Sequence, residues 1–167
     1  MDAIFFDLDG TLSDDRALAD EVVRLFRVRF GDVGLFETEV YPGIPELLDR
    51  LTGRLYLFAC TTKPFVDAVR VLQRLGFGET FDAVYGSELD GTRADKRDLL
   101  AHALAEQRNL ARASTVLLGD RALDVAAAHA NGVVSWAAGW GYGSDDELAG
   151  ADHCFAFPRE VADFIDR

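Results

Sequence analysis

Two acidic motifs, one near the start of the chain and one far from it, hold the residue types most suited to chemistry. The first is Asp7-Leu8-Asp9-Gly10-Thr11, directly after the apolar run Ala3-Ile4-Phe5-Phe6. The second is Gly119-Asp120-Arg121-Ala122-Leu123-Asp124, directly after Thr115–Leu118. Between them lie Thr61-Thr62-Lys63-Pro64, again after an apolar run, and Lys96. A carboxylate can attack phosphorus, form an acyl phosphate and divide one hard displacement into two easier ones, which makes Asp7 a candidate nucleophile. Asp9, two residues on, would protonate the leaving oxygen and then deprotonate the attacking water. Phosphate monoesters hydrolyse so slowly alone that enzymic acceleration approaches roughly 10²¹-fold, obtained largely by charge neutralisation and positioning.

Two like charges at one strand end are costly unless a cation lies between carboxylate and phosphate, and Asp120 and Asp124 offer further hard oxygen ligands. The implied ion is Mg²⁺. Asp7 and Asp120 would bind it directly, the backbone carbonyl of Asp9 would complete the protein ligands, and Asp124 would orient them through water. Lys96 and Thr61 would hold the transferring phosphoryl oxygens, with Gly10, Thr11, Thr62 and Lys63 as further substrate contacts. Each residue also has a plainer reading. Asp120 and Asp124 suit the N-terminus of a helix, where its dipole favours carboxylates. Lys96 could be a solvated lysine, with Arg93 or Lys63 supplying the positive charge, and Thr61 could be a packing residue. Arg121 is either an ion pair beside the carboxylates or a surface charge. Trp136, Trp140 and Tyr142 read as packing residues. His102, His129 and His153 show no zinc-like spacing.

The elements that must position these groups follow from hydrophobic pattern. Apolar runs bounded by turn residues alternate with stretches of helical periodicity, the pattern of a parallel sheet with crossover helices. Strands are expected at Ala3–Asp7, Leu55–Cys60, Ala83–Tyr85, Thr115–Leu118 and Val133–Trp136, with a shorter one near His153–Phe157. Helices are expected at Pro64–Leu75, Lys96–Asn109 and Ala122–Asn131. The fold class is α/β: a doubly wound, Rossmann-like parallel sheet of five to six strands with helices on both faces. Such a sheet puts its binding crevice at the carboxyl ends of its strands, where all three polar motifs stand.

Composition narrows the setting. A chain of 167 residues with 49% hydrophobic content supports one well-buried core, so residues 1–167 are expected to form a single domain. A formal net charge of −12 repels nucleic acid backbones and anionic membrane surfaces, and the expected partner is a small phosphorylated metabolite. The field also opposes a phosphate's approach, so a bound cation or local basic groups must reverse its sign near the site. No basic segment leads into a long apolar stretch at the start, and nowhere do about 18 apolar residues run consecutively; the expected location is cytoplasmic. There Cys60 and Cys154 would be free thiols.

The chain resembles the haloacid dehalogenase superfamily of phosphatases, in its phosphoglycolate-phosphatase-like branch. Four motifs stand in the family's order: Asp7-Leu8-Asp9-Gly10-Thr11, Thr61 in Cys60-Thr61-Thr62-Lys63-Pro64, Lys96, and Gly119 to Asp124. The run from Tyr85 through Gly91-Thr92-Arg93 to Lys96 is similar to members described as 5′-nucleotidases or phosphoglycolate phosphatases. The likeness extends to Tyr41-Pro42-Gly43 and Gly139-Trp140-Gly141-Tyr142-Gly143. It implies an aspartyl-phosphate intermediate, Mg²⁺, and the residue roles above. Asp9 argues against carbon–halogen cleavage, because dehalogenases of the superfamily lack the second aspartate. One departure stands out. Relatives of this branch carry a helical cap of roughly sixty residues or more, a small-domain scale, whereas only the 28 residues Ser13–Val40 intervene here. This truncated cap, residues 13–40, predicts an open cleft with weak specificity, or one covered by another subunit of a homo-oligomer. The rival readings are a non-catalytic binding protein that kept the fold, and a phosphoreceiver domain, whose acceptor would sit on a middle strand.

Overall fold

Strand β1, Ala3–Phe6, alternates its side chains across a sheet that is apolar on both faces: Ala3 and Phe5 point one way, Ile4 and Phe6 the other, and all four are buried. A computed structural model describes residues 1–14 and 38–167. Six parallel strands form one sheet in the order β5-β4-β1-β6-β7-β8, with β4 at Tyr56–Pro64, β5 at Ala83–Ser87, β6 at Thr115–Gly119, β7 at Val134–Ala138 and β8 at His153–Phe155. A two-stranded antiparallel ribbon pairs β2, Ser13–Asp14, with β3, Glu39–Val40. The expected helix within Ala17–Phe30, and most of the shortened cap, lie outside the described residues.

Two apolar clusters fill the space on either side of the sheet. Helices α1 (Ile44–Leu51), α2 (Phe65–Arg74) and α6 (Pro158–Ile165) cover the Ile4/Phe6 face through Ile44, Leu47, Leu48, Val71, Leu72 and Val161. Helices α3 (Lys96–Glu106) and α4 (Ala122–Asn131) cover the Ala3/Phe5 face through Leu99, Leu100, Ala103, Ala127 and Ala128. A short α5, Asp145–Leu148, follows β7. The doubly wound arrangement is therefore as the apolar pattern predicts.

Several boundaries differ, each for a local reason. β4 runs on past Cys60 to Pro64 through a register shift, with Ser87 donating its hydroxyl to the Thr62 carbonyl at 2.8 Å. β8 stops at Phe155 because the Glu160 carboxylate accepts the N–H groups of Ala156 and Phe157 and starts α6. α3 ends at Glu106, short of the expected Asn109.

Central position is what makes β1 special. It pairs with β4 on one side and β6 on the other, with Phe6 level with both Ala59 and Leu118. The ladder continues one step, since Asp7 donates its N–H to the Leu118 carbonyl at 2.8 Å. The chain ends of β1, β4 and β6 thus fall together where the order of strands reverses.

Candidate active site

Asp7, Asp120 and Asp124 are buried together, with one carboxylate oxygen from each lying within 4.8 Å of the others. Asp7 is carried there by the end of β1, Asp120 by the end of β6, and Asp124 by the first turn of α4. Asp124 accepts the backbone N–H of Arg121 at 3.1 Å through Oδ2, and so caps α4 while its other oxygen faces the cleft. Lys96 binds two of the three acids: its Nζ lies 2.5 Å from Asp7 Oδ1 and 2.9 Å from Asp124 Oδ1. Lys96 is the first residue of α3 and only 5% exposed. A cation at a helix N-terminus opposes the dipole, so it is the two carboxylates that hold it there.

Charge in this cluster does not balance: three carboxylates face one ammonium. Burial pushes the Asp7 carboxyl up to about 8, with Asp124 and Asp9 adding to the rise and Lys96 opposing it. Burial likewise lifts Asp120 to about 6, partly offset by the Tyr142 N–H. For Lys96, burial acts to depress the pKa, but Asp124 and Asp7 outweigh it and hold the ammonium well above the ordinary lysine value. Asp120 is wholly buried; its Oδ2 accepts the Tyr142 N–H at 2.8 Å, while its Oδ1 has no hydrogen-bond partner. An unpartnered buried carboxylate oxygen beside two further acids fits a hard divalent cation.

Around this centre the other sequence candidates separate into those at the cleft and those beneath it. Asp9 is half-buried, and its Oδ2 lies 3.1 Å from Lys63 Nζ. Thr61 is buried and accepts the Lys63 N–H at 3.1 Å through Oγ1, which leaves the hydroxyl proton to be donated elsewhere. Thr62 is exposed next to it. Gly10 and Thr11 do not offer the substrate contacts expected of them. Gly10 gives its N–H to Ser13 and Thr11 gives its N–H to Leu8, while the Thr11 side chain is 0% exposed. Gly10 has φ +82°, and a Cβ there would stand 2.1 Å from Asp120 Oδ2, so its part is to let the turn close against Asp120. Asp124, expected to act through water, is joined directly to Lys96.

The plainer alternatives are also resolved. Arg93 pairs with Glu88 and Arg121 with Glu147, so Lys96 is the cation bonded to Asp7. Cys60 is a buried free thiol, pushed up to about 12 by that burial. His102 faces Glu106 and His129 faces Asp152, whereas the His153 ring packs at a tilt against Phe164. What the motifs did not disclose is the backbone N–H of Tyr142 on Asp120. The available signal was the glycine spacing of Gly139, Gly141 and Gly143 after an apolar strand.

Fold and site together define a Rossmann-like α/β protein whose acidic, lysine-bearing centre lies at the carboxyl end of its central strand. Residues 26–132 match the haloacid dehalogenase-like hydrolase family, and the chain belongs to that family. It is 44% identical over 139 residues to a 5′-nucleotidase of Pseudomonas aeruginosa, covering 83% of this chain and 62% of that protein. It is 36% identical over 129 residues to the tyrosine-protein kinase PtkA of Mycobacterium tuberculosis, covering 77% of this chain and 44% of that protein. The chain thus spans less than two thirds of the length of both. Among solved structures, a haloacid dehalogenase-like family protein from Streptococcus pneumoniae superposes with a TM-score of 0.87 at 25% identity, covering 99% of this chain and 98% of that one. No helix among the described residues is long and apolar enough to cross a membrane.

Proposed function

We propose that the chain is a Mg²⁺-dependent phosphomonoester hydrolase that acts through an aspartyl-phosphate on small phosphorylated metabolites. The observation that carries this reading is the Asp7 carboxylate, bonded through Oδ1 to Lys96 at 2.5 Å and clustered with Asp120 and Asp124. Lys96 engages Oδ1, so Oδ2 is the oxygen assigned to attack. The Oδ2–phosphorus bond forms as the ester oxygen–phosphorus bond breaks, and Asp9 gives its proton to the departing oxygen. Water then attacks the phosphorus of the aspartyl-phosphate, Asp9 takes its proton back, and the Asp7 carboxylate and inorganic phosphate are released.

Asp7, Asp120 and the Asp9 carbonyl would hold Mg²⁺ with Asp124 beside them, and the ion, when bound, would supply positive charge to phosphoryl oxygens that the protein's −12 field opposes. Thr61 donates its hydroxyl and Lys96 its ammonium to those oxygens. Lys63 lies beside Asp9, with its Nζ 3.1 Å from Oδ2.

The substrate class draws support from relatives named 5′-nucleotidase and phosphoglycolate phosphatase, the latter 29% identical over 164 residues in Rhodospirillum rubrum. With only Ser13–Val40 in the place of a cap, we expect weak discrimination among esters or a cleft covered by a second copy of the chain. A cytoplasmic location belongs to the same reading and suits the free thiols Cys60 and Cys154. The test is release of inorganic phosphate from a panel of phosphomonoesters, with and without Mg²⁺, by wild type and Asp7→Asn. Magnesium-dependent turnover lost in Asp7→Asn is expected. Absence of turnover on every ester, with Mg²⁺ still bound, would favour a binding protein that kept the fold.

A further inference from the structure

The loop Gly139–Gly143, between β7 and α5, touches three parts of the site at once. Tyr142 donates its backbone N–H to Asp120 Oδ2 at 2.8 Å. Trp140 donates its indole N–H to the Thr11 carbonyl at 2.8 Å, inside the turn that follows Asp9. The Tyr142 hydroxyl donates to Asp14 Oδ1 at 3.2 Å. Asp14 belongs to β2 and pairs with Glu39 of β3, so it stands at the base of the segment that replaces a cap.

The approach of loop to site is as close as backbone permits. A Cβ on Gly141 would lie 2.3 Å from Asp120 Cβ and 2.3 Å from the Gly10 carbonyl oxygen, and one on Gly143 would lie 2.0 Å from the Asp120 carbonyl oxygen. The loop is in turn fixed to the sheet, since Gly139 donates to the Phe155 carbonyl at 2.8 Å and Gly141 to the Ala138 carbonyl at 3.0 Å. Asp120 is therefore held by a loop that is itself bonded to the carboxyl ends of β7 and β8. With Oδ2 held by the Tyr142 N–H, rotation of the carboxylate would forfeit that bond, so Oδ1 stays as the oxygen free for a cation.

We infer that Tyr142 is a positioning residue for the cation site: its N–H orients Asp120, and its hydroxyl ties that carboxylate to Asp14 at the base of the 15–37 segment. The inference rests on the proposed role of Asp120 as a Mg²⁺ ligand. Outer groups that orient a metal-binding carboxylate commonly tune affinity even though they never touch the ion. Loss of the Tyr142 hydroxyl keeps the ring against Gly10 and keeps the N–H on Asp120, but it removes the hydrogen bond from the loop to Asp14 of β2.

The test reads Mg²⁺ binding directly, by titration calorimetry and by the Mg²⁺-induced rise in Tm, on wild type, Tyr142→Phe, Asp14→Ala and the double variant. Each single change should weaken Mg²⁺ binding by about threefold to tenfold, leave the metal-free Tm unchanged, and give no further loss when combined. Wild-type affinity in Tyr142→Phe, or losses that add in the double variant, would overturn the inference and leave the hydrolase reading standing. A wild type that binds no Mg²⁺ would overturn both. If Asp14→Ala lowers the metal-free Tm, the Tyr142→Phe result decides alone.

Discussion

Two carboxylate clusters in this molecule meet basic residues in opposite ways. On the surface between α1 and α6, Asp163 and Asp166 face Arg50 and Arg54, so two acids meet two guanidinium groups, in water. The hydrogen bonds from Arg54 and Arg50 hold the Asp166 carboxyl below its usual range. At the carboxyl end of the sheet, Asp7, Asp120 and Asp124 share Lys96, and burial pushes Asp7 and Asp120 up instead. Exposed pairs of the first kind contribute little to stability. The second kind holds charge at a cost to the fold, a cost that a cation entering the cluster would offset.

The contrast breaks most directly at Asp7. Asp7→Asn should lower kcat/KM by about 10⁴-fold or more, because the attacking oxygen is lost, and phosphate release measured under saturating Mg²⁺ checks it. Next in size is Lys96→Met, which keeps the bulk of the side chain and removes the charge paired with Asp7 and Asp124. Metal-free protein should lose about 3–5 kcal/mol at pH 8, as expected when one partner of a buried ion pair is removed, and urea titration reads the loss. A loss equally large when Lys96→Met is made in an Asp7→Asn, Asp124→Asn background would mean that packing and not charge holds Lys96.

The pH dependence sharpens the same point. Asp7 and Asp120 rise in the folded state from 3.8 to about 8 and about 6, so between these values the folded protein binds more protons than the unfolded chain. Their contribution is fully present below pH 4 and is lost as pH rises, through about 6 for Asp120 and about 8 for Asp7. Metal-free stability should therefore fall across that window, and Mg²⁺ should flatten the fall. Asp120→Asn should raise metal-free stability at pH 8 by about 1–3 kcal/mol and abolish the Mg²⁺-induced rise in Tm. At the small end, Arg54→Ala should leave both Tm and turnover within experimental scatter; a clear drop in either would show that the surface cluster is more than solvated charge.

The sheet was legible because its six parallel strands are apolar runs ending in turn or polar residues, and Asp7, Asp120 and Thr61 follow three of those runs. Lys96 was legible in position but not in effect. Nothing in the sequence says that an ammonium at a helix start is buried between Asp7 and Asp124, since that depends on how α3 packs across the sheet. Thr11 misled for a related reason. Its place beside Gly10 suggested a substrate contact, but the turn spends its backbone groups internally and the side chain faces the interior. The Tyr142 contact was hidden because a backbone N–H carries no residue signature, and only the flanking glycines record it.

The central claim is that Asp7 takes the phosphoryl group. The most direct measurement is acid quenching of the protein during turnover of an ester with Mg²⁺, followed by peptide mapping by mass spectrometry. The account predicts one phosphoryl group on Asp7, labile to hydroxylamine and missing from Asp7→Asn. Steady phosphate release with no phosphoryl group on Asp7, or with one on another residue, would contradict it.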